Sequence, residues 1–160
     1  MVNQVELRDV VESDLAIFFD QQLNSEANEM AAFTPKDPTD KDAFLGHWSK
    51  ILSDNSITNQ TFVFSGRVAG NVASYTDQGF GKLEVTYWIG KEYWGKGIAT
   101  EALSMFLEKV RVRPIYARVA EGNPASLRVL QKCGFVQVGE GKGFANARGR
   151  ETTEYIMKLE

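Results

Sequence analysis

Apolar residues recur at steps of three and four in several stretches of the chain, and this spacing predicts helices. The clearest case has apolar side chains at Ile98, Ala102, Met105, Phe106 and Val110, which form one helical face. Shorter patterns that follow capping or turn-forming residues predict further helices. These further helices are expected at residues 13–22, 24–32, 39–53 and 123–133.

Short runs rich in β-branched and aromatic residues predict strands. The run Leu83–Ile89 contains neither Gly nor Pro and is expected to be buried on both faces. Ser65-Gly66-Arg67 predicts the turn of a hairpin, whereas Gly139–Gly149 holds four glycines and is expected to be a mobile loop. Strands are expected at residues 4–8, 61–64, 68–75, 83–89, 115–119 and 153–159, with another beginning at 134–136.

The order of these elements predicts one mixed α/β domain over residues 1–160, and 43% hydrophobic residues are enough for a sizeable core. Helices come first, then a hairpin, then strands that alternate with helices. Parallel pairing is expected where the strand 83–89, the helix after it and the strand 115–119 follow one another, because such β-α-β units make parallel neighbours.

The segment between the strand 83–89 and its helix is Gly-Lys-Glu-Tyr-Trp-Gly-Lys-Gly, residues 90–97. Gly95 and Gly97 allow the backbone to approach a bound group without a Cβ between them. The helix that follows begins with amides that have no intrahelical partner, and its dipole favours an anion there. A strand, a glycine turn and a helix N-terminus together predict a site for a phosphate-bearing ligand.

Two other interpretations of this turn exist. Gly90-xxxx-Gly95-Lys96 matches most of a nucleotide-binding P-loop, but Gly97 stands where a Ser or Thr must bind Mg²⁺. The turn is otherwise a simple strand-to-helix connection with two convenient glycines.

Charge and composition narrow the functional classes. A net charge of −3 and a pI near 5.3 give no indication of nucleic-acid or acidic-membrane binding, so an anionic ligand must be met locally, by Lys91, Lys96 and backbone amides. One cysteine and one histidine make a His/Cys metal site improbable, and we expect no metal. The chain contains no long apolar run, and we expect a cytoplasmic protein.

Two segments resemble a known family. The run YWIGKEYWGKGIATEAL, residues 87–103, is similar to the acetyl-CoA-binding segment of the GNAT acetyltransferases, in particular the RimJ and RimL branch, which acetylates the N-termini of ribosomal proteins. The superfamily pattern is [QR]-x-x-G-x-[GA], and Glu92 occupies its first position here. Residues 123–135 resemble the family's N-x-x-S-x-x-x-L-x-K-x-G-F segment. The resemblance implies a twisted mixed sheet of about six to seven strands, flanked by helices, whose central strands splay to admit the cofactor.

The resemblance also implies the residues that bind acetyl-CoA. Main-chain groups of Trp88, Ile89 and Lys91 are expected to contact the pantetheine amides, and Asn123 is expected to cap a helix and face the cofactor. The pyrophosphate is expected at the start of the helix after the turn. The residues predicted to hold it are Gly95, Lys96, Gly97, Ile98, Ala99 and Thr100.

Two residues are candidates for catalysis. Glu84 interrupts an apolar strand, and we expect it to act as a general base or to position a water, although a strand-end carboxylate in water would explain it equally. Many relatives carry a tyrosine that protonates the departing thiolate seven residues after the Asn, but Leu130 stands there. Ser126 is the nearest substitute; otherwise it is an exposed helix residue.

The predicted function is acetyl-CoA-dependent N-acetyl transfer to a primary amine, by direct transfer in a ternary complex. The acceptor is a protein N-terminus or a small molecule, and the protein is expected to be a monomer or homodimer. We expect the acceptor site near Asn24–Phe33, with Gly139–Gly149 beside it. The alternative is a non-catalytic acyl-CoA-binding or regulatory domain of the same fold.

Overall fold

The computed structural model describes residues 4–79 and 81–160. In these ranges the chain forms seven strands, five α-helices and one short 3₁₀ helix, Lys91–Tyr93. The α-helices are α1 (Asp14–Gln22), α2 (Ser25–Ala31), α3 (Lys41–Ser53), α4 (Ile98–Lys109) and α5 (Pro124–Lys132). The strands are β1 (Val5–Arg8), β2 (Thr58–Phe64), β3 (Arg67–Thr76), β4 (Leu83–Ile89), β5 (Ile115–Ala120), β6 (Val136–Ala145) and β7 (Arg150–Leu159).

The strands make one seven-stranded sheet in the order β1-β2-β3-β4-β5-β7-β6. Every neighbouring pair is antiparallel except β4 and β5, which are parallel and joined through α4. These two strands pair at a single position, Glu84 with Tyr116, and then separate. The predicted mixed sheet with splayed central strands is therefore confirmed.

Helices cover both faces of the sheet. The larger core lies between the sheet and α4, with Phe62, Val85 and Phe106 among its buried members. The smaller core joins α1 and α3 through Phe18 and Trp48. Neighbouring residues of a strand point to opposite faces, and Thr61 bonds to α1 while Phe62 packs in the larger core, so the two cores lie on opposite sides.

A buried carboxylate anchors α1 to the sheet. Asp14 is 2% exposed. It accepts hydrogen bonds from Arg8 at 2.7 and 2.9 Å, from the Val11 amide at 3.0 Å and from the Thr61 hydroxyl at 2.7 Å. Ser13, the predicted cap of this helix, precedes it but makes no capping bond with its side chain. Asp14 therefore holds the start of α1 against β1 and β2 and does not replace the missing cap.

Two predictions about strands are wrong. β4 is not buried on both faces, because Thr86 is exposed while its neighbour Val85 is buried. Gly139–Gly149 is not a mobile loop: β6 extends to Ala145 and pairs along its length with β7, and only the residues after it form a turn. Backbone pairing with β7 outweighs the low strand propensity of the glycines.

The capping start expected at residues 39–42 is found at Asp40, and the cap predicted at Asn123 is confirmed. The Asp40 carboxylate accepts from the Ala43 amide at 3.0 Å, and the Asn123 side chain accepts from the Ser126 amide at 3.3 Å. Over the ranges 4–79 and 81–160, none of the helices combines the length and apolar character needed to cross a membrane.

Candidate active site

A cavity of about 390 Å³ opens where β4 diverges from β5. The end of β4, the glycine turn, the starts of α4 and α5, and one side of α2 line it. Most of the residues predicted from the sequence meet here. Those that line the cavity are Trp88, Ile89, Gly95, Gly97, Ile98, Ala99, Thr100, Asn123 and Ser126.

Three predicted residues lie outside this lining. Lys96 is exposed, at the outside of the glycine turn. Lys91 begins the 3₁₀ helix and forms an ion pair with Glu26 of α2. Glu84 lies at the opposite end of β4 from the turn.

The glycine turn has a defined geometry. Gly95 and Gly97 have φ angles of 73° and 76°, a left-handed conformation that glycine adopts without steric strain. A Cβ at either position would meet no atom within 4 Å, so the space beside the turn is open. The Trp94 indole closes the turn by donating to the Ile89 carbonyl at 3.2 Å. Because Gly97 has no side chain to cap α4, the first amides of that helix are available to an anion.

The edge of β4 that faces β5 carries peptide groups that lie outside the ladder with β3. The Gly90 amide donates to the Ala69 carbonyl of β3 at 2.9 Å, and hydrogen-bonded pairs alternate along an antiparallel ladder. The peptide groups of Trp88 therefore face β3, whereas those of Tyr87 and Ile89 face the splay. The role predicted for the main chain of Trp88 stays a prediction. An extended ligand can pair with the free edge as an added strand.

A pair of hydroxyls projects into the cavity. The Tyr87 hydroxyl and the Ser126 Oγ are 2.8 Å apart, and both residues line the cavity. Burial raises the pKa of Tyr87 to about 12, although the hydrogen bond with Ser126 acts in the opposite direction. Leu130, at the family's tyrosine position, is 2% exposed and packs in the core. The site thus has two hydroxyl groups, that of Tyr87 from β4 and that of Ser126 from α5.

Glu84 is buried in an ion pair. It is 3% exposed, and its two carboxylate oxygens accept from Arg118 at 3.1 and 3.4 Å. Arg118 also bonds to Glu154 of β7 at 3.1 Å, so the network joins β4, β5 and β7. Burial raises the pKa of Glu84; the charge of Arg118 opposes this and the nearby Asp77 adds to it. A strand-end carboxylate in water does not describe this residue, and its catalytic role stays a prediction.

Comparison with known proteins agrees with this geometry. A family profile described as an acetyltransferase (GNAT) domain matches residues 4–136. The chain belongs to the GNAT acetyltransferase family. Its predicted class of activity, an acetyltransferase, is therefore confirmed.

Two curated relatives come from Bacillus species. An uncharacterized N-acetyltransferase, p20 of Bacillus licheniformis, is 30% identical over 69% of this chain and 68% of its own length. YdaF of Bacillus subtilis, named provisionally as a ribosomal N-acetyltransferase, is 27% identical over 65% of this chain and 60% of its own length. The chain thus spans roughly two thirds of these GNAT relatives, and the second agrees with the predicted RimJ/RimL branch.

Solved structures of low identity share the fold. The spermidine N-acetyltransferase of Vibrio cholerae, in complex with CoA and spermine, has a TM-score of 0.82 and 22% identity over 98% of this chain and 95% of its own. RimJ of Mycobacterium smegmatis, in complex with CoA-disulfide, has a TM-score of 0.80 and 22% identity over 97% and 81%. The GNAT fold therefore extends over nearly the whole of this chain.

Several lining residues of this GNAT site were not predicted from the sequence. Arg128 and Lys132 lie one turn apart on α5 and give the cavity two positive charges. Their i, i+4 spacing on a helix beside the glycine turn was the available signal. Tyr87 was missed because the run 83–89 was expected to be buried on both faces, which makes a tyrosine there an ordinary core residue. A buried tyrosine needs a partner for its hydroxyl, and that requirement was its only signal.

The predicted acceptor region lies against the same cavity. Ala27, Met30 and Ala31 of α2 line it. The turn after β6 is tied to the end of α2, because Arg148 donates to the carbonyls of Glu29 at 2.8 Å and Met30 at 3.3 Å. The structure brings these two segments together, as the sequence indicated.

Proposed function

We propose that this protein transfers the acetyl group of acetyl-CoA directly to a primary amine within a ternary complex in this cavity. The observation that carries the proposal is the conjunction of the free β4 edge with an uncapped helix N-terminus across one splay. The β4 edge suits the extended arm of the ligand, and the helix N-terminus suits its pyrophosphate. A simple strand-to-helix connection needs neither.

The residues present fit acetyl-CoA. The amides at Ile98, Ala99 and Thr100, with their helix dipole, suit a pyrophosphate. Arg128 and Lys132 supply the local positive charge that a protein of net charge −3 otherwise lacks. Tyr87 offers its peptide groups and Ile89 offers its amide to an extended amide-bearing arm, since the Ile89 carbonyl already accepts from Trp94.

Two side chains of this protein are assigned to the proton transfer and to the leaving group. Bound acetyl-CoA supplies an activated acyl group as a thioester. Glu84 accepts a proton from the acceptor ammonium, directly or through water, and Ser126 donates a hydrogen bond toward the departing sulfur. The cavity walls hold the two substrates close together, which makes the reaction effectively unimolecular.

The acceptor is a primary amine that carries positive charge, either a small molecule or a protein N-terminus. A second cavity lies beside the first, and Met30 lines both. Its lining includes the carboxylates of Glu26, Glu29, Glu121 and Glu151 together with two arginines. Carboxylates beside the entrance favour a cationic acceptor. The Vibrio cholerae neighbour is named for spermidine, a small amine of this kind.

An acceptor screen followed through thiol release tests this function. Polyamines, peptides with free N-termini, amino acids and aminoglycosides are each mixed with acetyl-CoA and the protein. We expect release that depends on both the amine and the protein for at least one class. Binding of CoA with no release for any class would support the non-catalytic alternative instead.

Binding of CoA should raise the Tm of the protein, and Gly97→Val should abolish this rise. At a ligand concentration one hundred times Kd the gain is about 2.7 kcal/mol. For a domain of this size that raises Tm by roughly 5–10 °C. The branched side chain of valine would fill the open space beside the turn and block approach to the backbone.

Gly66→Val is the matched control, since Gly66 has a φ of 82° and equally open surroundings but lies in the β2–β3 turn. It should lower the Tm by a similar amount and keep the full CoA shift. An unchanged CoA shift in folded Gly97→Val would overturn the assigned phosphate site. A larger shift with Mg²⁺ and ATP than with CoA would favour the P-loop interpretation.

Hydrogen exchange should locate the acceptor. With a productive amine and CoA present, we expect added protection in α2 and in residues 146–149, because these segments line or brace the cavity. Protection limited to segments away from both would contradict the proposed acceptor side.

A further inference from the structure

The hydrogen bond between Tyr87 and Ser126 leaves one hydroxyl proton free. The two residues are 39 positions apart in sequence, and their oxygens are 2.8 Å apart at the cavity wall. Two hydroxyls carry two protons, and one proton lies between the two oxygens. Whichever oxygen donates, the pair keeps a single remaining O–H group.

We propose that Tyr87 is a positioning residue whose phenol holds the Ser126 hydroxyl so that the serine proton points into the cavity, toward the sulfur of acetyl-CoA. This inference rests on the proposed function and adds a residue to it. Tyr87 acts through Ser126, and Ser126 makes the contact with the reacting atoms.

The direction of the bond follows from the chemistry of the two groups. A phenol is a stronger hydrogen-bond donor than an aliphatic alcohol, because its oxygen carries the more acidic proton. Tyr87 therefore donates and Ser126 accepts. A hydroxyl that accepts a hydrogen bond becomes a better donor through its own proton, so the phenol strengthens the serine as well as orienting it.

The position of Ser126 is fixed from both sides. Its amide donates to the Asn123 side chain at the start of α5, which sets its backbone. Its side chain is held by Tyr87, whose ring lies in β4 against the larger core. A serine on the first turn of a helix can otherwise occupy more than one staggered χ1 rotamer. The residue at the family's usual tyrosine position cannot hold the serine hydroxyl, because Leu130 stands there and is buried in the core.

The transfer step balances without a proton from this pair. Once Glu84 has taken the ammonium proton, the neutral acceptor amine forms the new C–N bond, the thioester C–S bond breaks with its electron pair moving to sulfur, and the second amine proton passes to water. A thiol has an ordinary pKa of about 8.5. Since the pKa of Tyr87 is about 12, the phenol keeps its proton. The pair stabilises the thiolate by hydrogen bonding, and water protonates it afterwards.

Tyr87→Phe removes the phenol oxygen and keeps the ring. We expect kcat to fall about tenfold, the loss that one neutral hydrogen bond accounts for, with little change in KM for acetyl-CoA. Ser126→Ala should lower kcat by roughly 10²-fold, as for removal of one donor to a developing anion. The double variant should be no slower than Ser126→Ala, because Tyr87 acts only through the serine.

A second measurement does not depend on turnover. The thiolate of bound CoA is followed by its ultraviolet absorbance as pH is raised. Wild type should lower the pKa of the bound thiol, Tyr87→Phe should lose part of that effect, and Ser126→Ala should lose more. Desulfo-CoA, which has no sulfur, should bind all three proteins equally. Tyr155→Phe makes the same change on β7, away from the cavity lining, and should behave as wild type.

The outcomes separate the two proposals. If wild type neither binds CoA nor releases thiol, the proposed function fails. If wild type is active but Tyr87→Phe keeps full kcat and the same thiol pKa, the inference about Tyr87 is wrong. Equal loss of affinity for CoA and desulfo-CoA in Tyr87→Phe would assign it a purely structural role. Multiplicative losses in the double variant would show that Tyr87 acts independently of Ser126.

The thermal melts of the variants report whether they fold, and Ser126→Ala tests the same bond from its other partner.

Discussion

Glu84→Gln is expected to lower turnover by roughly 10²- to 10⁴-fold, the range for a positioned general base. Gln keeps the shape of the side chain and loses the basic oxygen. Affinity for acetyl-CoA should be nearly unchanged, because Glu84 lies outside the cavity lining. Steady-state kinetics with the acceptor found in the screen, together with CoA titration, measure both quantities.

The dependence of turnover on pH tests whether Glu84 acts as a base. The base must be ionised, and burial raises the pKa of Glu84, so wild-type activity should fall as pH drops through that raised value. The Glu84→Gln variant should not show this fall in activity at low pH. Its defect should shrink as pH rises toward the pKa of the acceptor amine, because a neutral amine needs no base.

Glu154→Gln is the matched control. It removes the other carboxylate of Arg118 and leaves Glu84 in place, so it should loosen the network without a large loss of turnover. A defect of Glu84→Gln that is independent of pH would mean that Glu84 orients the acceptor electrostatically. Full activity of Glu84→Gln would assign the proton to bulk solvent and reduce the site to substrate positioning.

Asp14→Ala is expected to destabilise the fold by about 2–4 kcal/mol, because it leaves buried donors without an acceptor. The Val11 amide and the Thr61 hydroxyl both lose their partner. Arg8 loses its ion pair too, but its side chain is 42% exposed and regains water, which limits the cost. Urea unfolding of the two proteins gives the difference directly.

Acid should reduce this difference. Burial alone would raise the pKa of Asp14, but hydrogen bonds from Arg8, the Val11 amide and Thr61, with the charge of Arg8, hold the pKa below its ordinary 3.8. A lowered folded-state pKa gives stability that is present above the unfolded pKa and lost as pH falls through the folded one. The difference between wild type and Asp14→Ala should therefore begin to shrink below about pH 4, near the ordinary pKa of aspartate, and should close only as pH falls through the lower folded-state pKa.

Asp37→Ala provides the comparison for an exposed carboxylate. The Asp37 carboxylate accepts from the amide and the hydroxyl of the nearby Thr39, in an exposed turn. Its removal should change the urea midpoint much less than removal of Asp14. Equal effects of the two substitutions would show that burial of Asp14 does not control its contribution.

The periodic parts of the chain were predictable because their signals are local. The helix at 98–109 and the caps at Asp40 and Asn123 depend on residues a few positions apart. The start of β6 was predicted, but its extension through residues 139–145 was missed for the opposite reason. Its glycines resemble a loop, and only pairing with β7 makes them a strand, a contact that local propensity does not encode.

The candidate site likewise has parts that local motifs predict and parts that depend on contacts between distant residues. The glycine turn and the start of α5 were recognisable as motifs. The contact of Tyr87 with Ser126, the ion pair of Glu84 with Arg118 and the wall formed by α2 all join distant parts of the chain. Such contacts follow from the topology of the sheet, and a single sequence gives the residue types without their partners.

The single ladder position between β4 and β5 has a thermodynamic consequence. It divides the sheet into two nearly separate halves, β1 to β4 and β5 to β6, that share one bridge. A ligand arm that pairs with β4 in the splay becomes, in effect, an eighth strand that completes the ladder. Its binding energy and the cooperativity of folding are then coupled, so the protein is most rigid only while its substrate is part of the sheet.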